Sequence, residues 1–591
     1  MKNNKIISEI RRLISYEGAD AYLVPMKNNF LNDDLNTNEM RIKFLTNFSG
    51  SAGLALIAIN NNCIFVDGRY TTQAKLEVDP NLFQIDELNF QKQIDWLKSN
   101  LKSNSVIGFD SRLHSIDEVE KYNKGLKELN ITLKSIKYNL VDKIWKNRSL
   151  TKKVIVSQHK LEYSGIECIK KLTLIRKKYL RNQNEAIFCQ DKDFISWLTN
   201  LRAYKKKYTP SIPAVTIITR KHCYLFLDEV KIPLKDRVNI DPFIKICDIN
   251  SFSQNLLAAC DSIDFIRLDK KYVSYFYFNK FRQLLLKINH LEDLTLEKAS
   301  KNELEIKGML KANIQDAVAI CKLLYWIKYN SEKSDLDEVI ITKKSKEIRK
   351  HNSKEYLGPS FPAIVGFKEN SAIIHYSASK RTNKLIDGDG ILLLDSGGQY
   401  KFGTTDITRS ILIGNASIKM IELYTITLKA HIALCTLQFN DNFTGRDLDL
   451  VARNIILRYG YNYNHGTGHG VGSVLSVHEG PQSISPKDNN KYFKEGMIFS
   501  NEPGIYLENE FGIRIENLML LKKAKDKQNK DNMYFEIISF APFEKDLIDK
   551  KLLDQKEVTW INNYHSLVRK KLITLFDKKE AAWIKKVTSK I

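Results

Sequence analysis

In "HGTGHGVG" (465–472) two histidines stand four residues apart among four glycines. Such a stretch suits a phosphate cradle, a metal site or a tight turn. The cradle fails on spacing. A dinucleotide-type GxGxxG would need glycine where Val471 or Ser473 stands, and no GxxxxGK[ST] occurs. The glycines are expected to let the backbone bend and approach something closely. Carboxylates follow the same logic of placement. "ILLLD" (391–395) is a buried strand ending in Asp395, "SGGQYKFGTT" (396–405) reads as a loop or turn, and "DITRSILI" (406–413) opens a second strand with Asp406. Strands joined this way pair as a hairpin and bring Asp395 and Asp406 together. "MIFSNEPGIY" (497–506) ends an apolar strand at Glu502. "FGIRIENLMLL" (511–521) alternates, with Ile513 and Ile515 on one face and Arg514 and Glu516 on the other.

Carboxylates gathered out of water repel unless a cation lies between them. Four of them with His469 form a hard, oxygen-rich donor set. That disfavours a structural zinc site and favours a two-metal centre for Mn²⁺, Co²⁺, Fe²⁺ or catalytic Zn²⁺. Two such ions about 3.5–4 Å apart can hold a hydroxide that attacks at neutral pH. His375 in "AIIHYS", His465, His478 and Arg514 would then move protons and orient a substrate. Spacing alone reads the histidines equally well as buried structural groups.

These residues need elements to hold them. The first 150 residues alternate helix and strand: a helix over about 5–16 with Ile6, Ile10, Leu13 and Ile14 on one face, then strands at 21–25, 53–59, 63–69 and 105–110. Residues from about 150 to 305 repeat the style, with "AVTIITRKHCYLFLD" (214–228) as two strands about a basic turn and a strand at 262–269. Both halves read as versions of one α/β unit, although no residue-level repeat is visible. A long helical period begins at 302–327, ahead of the carboxylate-rich strands. The tail at 558–576 is amphipathic, with Trp560, Tyr564, Val568, Leu572 and Leu575 on one face, suited to packing on the third domain or to a dimer contact.

Composition narrows the function classes. A chain of 591 residues is too long for one core, and 43% hydrophobic content is that of a folded protein. The formal net charge of +23 invites a nucleic-acid reading, but the lysines are spread along the chain, often beside asparagine, without an arginine-rich aromatic stripe. Eight scattered cysteines without a CxxC pair weigh against a thiolate zinc site and suit a reducing compartment. The N-terminus is interrupted by charges and is not a signal peptide, and no apolar run is long enough to span a membrane. The expected location is the cytoplasm.

The third domain resembles the pita-bread metallopeptidases, a group that includes methionine aminopeptidase, prolidase and aminopeptidase P. End to end, the chain resembles the three-domain cytosolic type of aminopeptidase P. The matching stretches are "NFSGSAG" (47–53), "VDGRYTTQA" (66–74), "KASKNELEIKGMLKANIQDAVA" (298–319), "LLLDSGGQYKFGTTDITRS" (392–410), "HGTGHGVGSVLSVHEGP" (465–481), "SNEPGIY" (500–506), "FGIRIEN" (511–517) and "VTWINNYH" (558–565). The resemblance implies two creatinase-type N-terminal α/β domains (1–148 and 149–303), a pita-bread catalytic domain (304–535) and a C-terminal helical extension (536–591). It also implies a homodimer. Position by position, it implies that Asp395 binds one metal with both oxygens, Asp406 and Glu516 bridge two metals, and His469 completes a shell. Glu502 would be a ligand that also passes a proton to the leaving amine. His375 and His478 would stabilise a tetrahedral intermediate, and His465 and Arg514 would shape the pocket around proline. The implied ions are two Mn²⁺, with Co²⁺ or Zn²⁺ as alternatives.

Two departures stand out. The subgroup usually continues from an Asn-x-Arg into Gly-Ser-Asp, whereas here Asn200–Leu201–Arg202 runs into "AYKKKYTPSIP" (203–213). Asn47 stands where the family commonly has glycine. The expected activity is release of the N-terminal residue from peptides with proline second. The rivals are a prolidase limited to Xaa-Pro dipeptides, a metal-free creatinase-like hydrolase, and a non-catalytic module binding protein or RNA. The intact donor set weighs against the last two, and the full three-domain length against the first.

Overall fold

The computed structural model describes the chain except residues 1, 33, 151–152, 229, 234–241, 260, 292–293, 332–334, 489–492 and 525–531. Cys260 therefore lies outside the described residues; Cys63, Cys189, Cys223, Cys321 and Cys435 are buried, and Cys168 and Cys247 half-buried. The chain divides into two units: residues 1–158, 167–202 and 212–294 form one, and residues 159–166, 203–211 and 295–591 form the other.

In the first unit helix α1 (Lys2–Tyr16) buries Ile7, Ile10 and Ile14, so the apolar face is centred one residue from the expected stripe, with Ile6 and Leu13 at its margins. The first sheet contains β1 (Ala21–Pro25), β2 (Gly53–Ala58), β3 (Asn62–Val66), β4 (Gln84–Glu87), β5 (Val106–Phe109) and β6 (Thr132–Ser135), in the order β4-β3-β2-β1-β5-β6. A second sheet contains β7 (Glu185–Cys189), β8 (Ala214–Ile218), β9 (Cys223–Leu227), β10 (Ile244–Asp248), β11 (Phe265–Leu268) and β12 (Lys287–His290), ordered β10-β9-β8-β7-β11-β12. In both sheets the first three strands pair antiparallel and the outer partners join parallel. The two halves thus share one topology, as their common style suggested. Equivalent helices α2 (Ile116–Leu126) and α3 (Tyr275–Gln283) begin beside each other, where Ser115 bridges Ser274 and the Ile116 N–H donates to the Val273 carbonyl. Asn47 caps the helix Arg41–Thr46 with φ of 67°. That left-handed position explains why asparagine replaces glycine: it is among the side chains that tolerate it best.

In the second unit α4 (Glu303–Asn330) starts at a capping box between Asn302 and Glu305. One three-stranded sheet joins β13 (Ile364–Phe367), β14 (Gly390–Ser396) and β15 (Ile407–Ile413). A larger sheet runs from Gln438–Phe439 at its edge through β22 (Met533–Ile537), β21 (Asn517–Lys523), β18 (Ile498–Asn501) and β16 (Gly468–Gly470) to β17 (Glu479–Ile484). Between them in sequence, β19 (Gly504–Leu507) pairs with β20 (Phe511–Arg514). Helices α5 (Ile418–Cys435) and α6 (Gly445–Arg458) carry apolar residues into the same core as β14 and β15. The tail forms α7 (Gln555–Leu572), whose Ile561, Tyr564, Val568 and Leu572 are buried in this core. The apolar face of α7 is therefore filled by its own chain, and its fitness as a dimer surface is withdrawn; Leu575, beyond its end, is half exposed.

Candidate metal centre

The donor residues sit where three sheets meet. Asp395 is the penultimate residue of β14, in register with Thr408 of β15, and Asp406 directly precedes β15. The connection expected to be loop is a short hairpin, Gly398–Tyr400 with Gly403–Thr404, that pairs on with Tyr356–Pro359. His469 lies in the middle of β16 and Glu502 just after β18. The segment 511–521, expected as one alternating strand, breaks at Ile515–Glu516. There the Ile515 N–H turns to the Pro503 carbonyl and the Glu516 N–H to the Thr408 carbonyl, so β20 and β21 serve different sheets. The alternation survives the break: Ile513 and Ile515 enter the core while Arg514 and Glu516 reach the donor set.

The close approach expected of the glycines of 465–472 is present. None of the four adopts a positive φ. A methyl on Gly468 would overlap the Ser500 carbonyl of β18, and one on Gly470 would meet Gln482 and the Glu479 carbonyl of β17. The close approach is to neighbouring strands, and it lets β16 lie between β17 and β18 with His469 projecting between.

Ligating atoms of Asp406, His469 and Glu516 all lie within 4.8 Å of one another. His469 Nε2 is 3.6 Å from Asp406 Oδ2 and 3.5 Å from Glu502 Oε1. His469 and Glu502 keep 18% and 19% of their side chains exposed, so they face the opening, while Asp406 and Glu516 lie beneath. Burial first, then the charges of Asp395 and Glu502, hold the Asp406 carboxyl well above its usual range. Burial and the neighbours Asp406, Glu502 and Asp395 do the same to Glu516. Burial also raises Glu502, against the opposing pull of His469 and Arg514. Arg514 Nη2 donates to Asp395 Oδ2 at 2.7 Å. Four carboxylates against this one guanidinium leave an excess of 4 − 1 = 3 negative charges when all are ionised.

Asp395 Oδ1, Asp406 Oδ1 and Glu516 Oε1 are buried and receive no hydrogen bond from any described residue. Unpaired buried oxygens of this kind cost free energy unless a cation meets them. The donor set fits divalent ions: hard oxygens, one imidazole, and surplus negative charge. Thr408 Oγ1 donates to Glu516 Oε2 at 2.8 Å, and Ser500 Oγ donates to Glu502 Oε1 at 3.2 Å, orienting both carboxylates.

Around the donors, Tyr506 is the residue that sequence reasoning missed. Its hydroxyl is 2.9 Å from His465 Nε2 and accepts from Arg514 Nη1 at 2.8 Å, completing a chain His465–Tyr506–Arg514–Asp395. Burial pushes its phenol up to about 12. Tyr506 stands in the quoted "EPGIY", two residues beyond a glycine, and nothing but its place after Glu502 marks it. His478 is exposed and its ring stands edge-on to His469, centroids 4.3 Å apart. His375 lies in the turn after 368–372, next to Ile374, whose carbonyl accepts from Arg514. Asp449 of α6 accepts from both the N–H and hydroxyl of Thr467 and from Arg453, whose guanidinium also reaches the carbonyls of Tyr463 and His465. This pair clamps the approach to His469. The atypical loop is closed on itself, the Ala203 N–H donating to the Pro210 carbonyl at 2.6 Å, with Lys205 and Lys207 exposed.

Comparison with known proteins follows the same outline. The model of metallopeptidase family M24 matches residues 307–523, and that of the M24 C-terminal region matches 531–591. Models of the creatinase/prolidase N-terminal domain match 7–144 and 147–305. Aminopeptidase P1 of Arabidopsis thaliana is 32% identical over 647 residues, covering 100% of this chain and 99% of that one. The chain belongs to the aminopeptidase P family. Within the family, Xaa-Pro aminopeptidase 1 of Dictyostelium discoideum is also 32% identical, over 98% of this chain and 96% of its own. The crystal structure of X-prolyl aminopeptidase from Caenorhabditis elegans, described as a cytosolic enzyme with a di-nuclear active site, superposes with a TM-score of 0.94. It is 27% identical and covers 100% of both chains. The Xaa-Pro dipeptidase of Bacillus anthracis shares the fold over only 64% of this chain (99% of its own), with a TM-score of 0.52 and 22% identity. Among the described residues no helix is long and apolar enough to cross a membrane.

Proposed function

We propose that this protein is an Xaa-Pro aminopeptidase that releases the first residue of peptides with proline second. The observation that carries this reading is the cluster of Asp406, His469 and Glu516 with three donor-less buried oxygens, in a chain matched end to end by the aminopeptidase P family. Asp395, Asp406, His469, Glu502 and Glu516 would hold two divalent ions, taken here as Mn²⁺. When bound, such ions lower the pKa of water and polarise the scissile carbonyl.

The chain's own groups do the rest. Glu502, beside His469 at the edge of the cluster, would take a proton from the attacking water and pass it to the prolyl nitrogen as the amide breaks. The relay His465–Tyr506–Arg514 fixes the floor on which the prolyl ring and the peptide chain lie. His478 and His375 donate to the carbonyl oxygen as it gains charge. Proline in second place makes a dedicated enzyme necessary, since its tertiary amide has no N–H and its ring fixes φ. Prolidase activity is disfavoured by the full-length match. We assign the cytosol as location, a homodimer that does not use the apolar face of α7, and no membrane or specific nucleic-acid partner. Domain limits of 1–148, 149–303, 304–535 and 536–591 complete the reading.

The test is cleavage of Xaa-Pro-Xaa and Xaa-Ala-Xaa peptides by metal-free protein, with and without Mn²⁺, beside Asp406→Ala. Metal-dependent release only before proline, lost in the variant, is the expected result. Cleavage confined to Xaa-Pro dipeptides would establish the prolidase, and absence of both cleavage and metal binding would end the enzyme reading.

A further inference from the structure

Strand alternation turns the residues beside the donors to the opposite face. Glu502 and Glu516 serve the metal centre; Asn501 and Asn517, register partners in β18 and β21, face away from it. His431 of α5 meets both. Its Nδ1 lies 3.1 Å from the Asn501 carbonyl, and its Nε2 lies 3.0 Å from Asn517 Nδ2. The carbonyl requires the proton on Nδ1, so Nε2 accepts from the Asn517 amide. Asn517 Oδ1 is thereby left to accept, and Arg409 Nη2 donates to it at 2.9 Å.

Arg409 is fully buried, yet among the described residues it pairs with no carboxylate. Its Nη1 donates to the carbonyls of Thr408 and Glu516 at 2.8 and 2.7 Å, Nε to that of Pro542 at 3.1 Å, and Nη2 also to that of Ala541 at 2.8 Å. The Tyr564 hydroxyl of α7 accepts from Nη2 at 3.0 Å and from the Ala541 N–H at 3.2 Å. Its own proton faces Asn517 Oδ1, Ser539 O or Ala541 O. The Tyr564 ring stacks against both Phe543 and Trp560, which also meet each other. A buried guanidinium without a counter-ion is expensive, and core packing alone would be served by phenylalanine at 564. What this arrangement secures is the backbone of Glu516 and the side chain of Asn517.

We infer that Arg409, oriented by Tyr564 of the C-terminal helix, is a positioning residue for the metal centre: it fixes the Glu516 backbone so that the Glu516 carboxylate meets Asp406 and His469. The inference rests on the reading of those residues as metal ligands. It gives the C-terminal extension a part in metal retention, exerted from the side of the strands remote from the peptide.

The experiment is calorimetric titration of metal-free protein with Mn²⁺ for wild type, Tyr564→Phe, Arg409→Lys and Leu572→Ala, each well below its melting temperature, with kcat and KM on an Xaa-Pro-Xaa peptide. Partners one shell beyond the ligands are worth about 10-fold or more in metal affinity. Arg409→Lys is expected to weaken Mn²⁺ binding by about that factor, Tyr564→Phe by less because it acts through Arg409, and both to lower kcat with little change in KM. Leu572→Ala, a core truncation in the same helix, is expected to lower Tm and leave Mn²⁺ affinity as in wild type. Unchanged Mn²⁺ affinity in Tyr564→Phe, or an equal loss in Leu572→Ala, overturns the inference; should Arg409→Lys not fold, Tyr564→Phe decides. Wild type that binds no Mn²⁺ overturns the metal-centre reading as well. Wild type that binds Mn²⁺ without cleaving peptide overturns the activity alone, and the calorimetric comparison still decides the positioning role.

Discussion

Asp406 and Glu516 are acids held together against their own repulsion, and that has a direct consequence for stability without metal. Their carboxyls titrate higher in the folded chain than in the unfolded one, where 3.8 and 4.5 are the reference values. The stability they allow is complete below about pH 4 and is lost as pH rises through the folded values. Metal-free protein should therefore melt progressively lower than Asp406→Asn as pH rises from 4.5 to 8, the variant gaining about 1–2 kcal/mol at the top of that range. Added Mn²⁺ should reverse the order. Parallel thermal melts with chelator and with metal check this. Arg514→Lys tests the neighbouring charge: an ammonium lacks the rigid fork that holds Asp395 and Tyr506 from two nitrogens at once, and kcat/KM should fall about 100-fold, roughly 3 kcal/mol, while bound metal measured by atomic emission stays near wild type. The gathering of Asp406, His469 and Glu516 was legible because charges stood at the ends of apolar strands, where sequence makes their cost visible. Tyr506 was not, since a tyrosine in a strand has an ordinary place in a core, and its role depends on what its hydroxyl reaches.

At the scale of elements, β16 is a strand made mostly of glycine because its neighbours leave no room for side chains. Gly468→Ala should push β16 from β18 and carry His469 away from Glu502. The expected cost is about 1–3 kcal/mol of stability, with loss of activity. Gly460→Ala is the contrast. Gly460 has φ of 81° with open space around it, so the substitution should cost about 1 kcal/mol through backbone strain and leave kcat unchanged. Urea melts and peptide assays on the two variants separate the effects. Periodicity located these strands well, yet it presented 511–521 as one element. The break at Ile515–Glu516 comes from hydrogen bonds to Pro503 and Thr408, partners remote in sequence that no local pattern encodes.

Across the whole molecule, buried histidines set an acid limit. Burial lowers His114 in the first unit to about 4 and His565 in the second to about 3. Both are neutral when folded and charge near 6.5 when unfolded. Their stabilising contribution is present above pH 6.5 and is lost as pH falls toward those values, at about 1.4 kcal/mol per pH unit for each. Melting temperature should drop steeply between pH 6 and 4, and less steeply in His565→Gln. The likeness of the two N-terminal halves was readable only as style, because the shared property is strand order, which two sequences can keep while agreeing at few positions.

That shared strand order has a kinetic price. β1 and β7 occupy equivalent central places, each flanked by one antiparallel and one parallel partner. A chain refolding from denaturant presents both sets of edges at once, and strands of one sheet can dock in the other. On the ribosome the order of emergence protects it: β6 at Thr132–Ser135 completes the first sheet before β7 at Glu185 leaves the tunnel. Synthesis thus sorts two interchangeable scaffolds in time, and dilution from urea should recover less native protein than translation delivers.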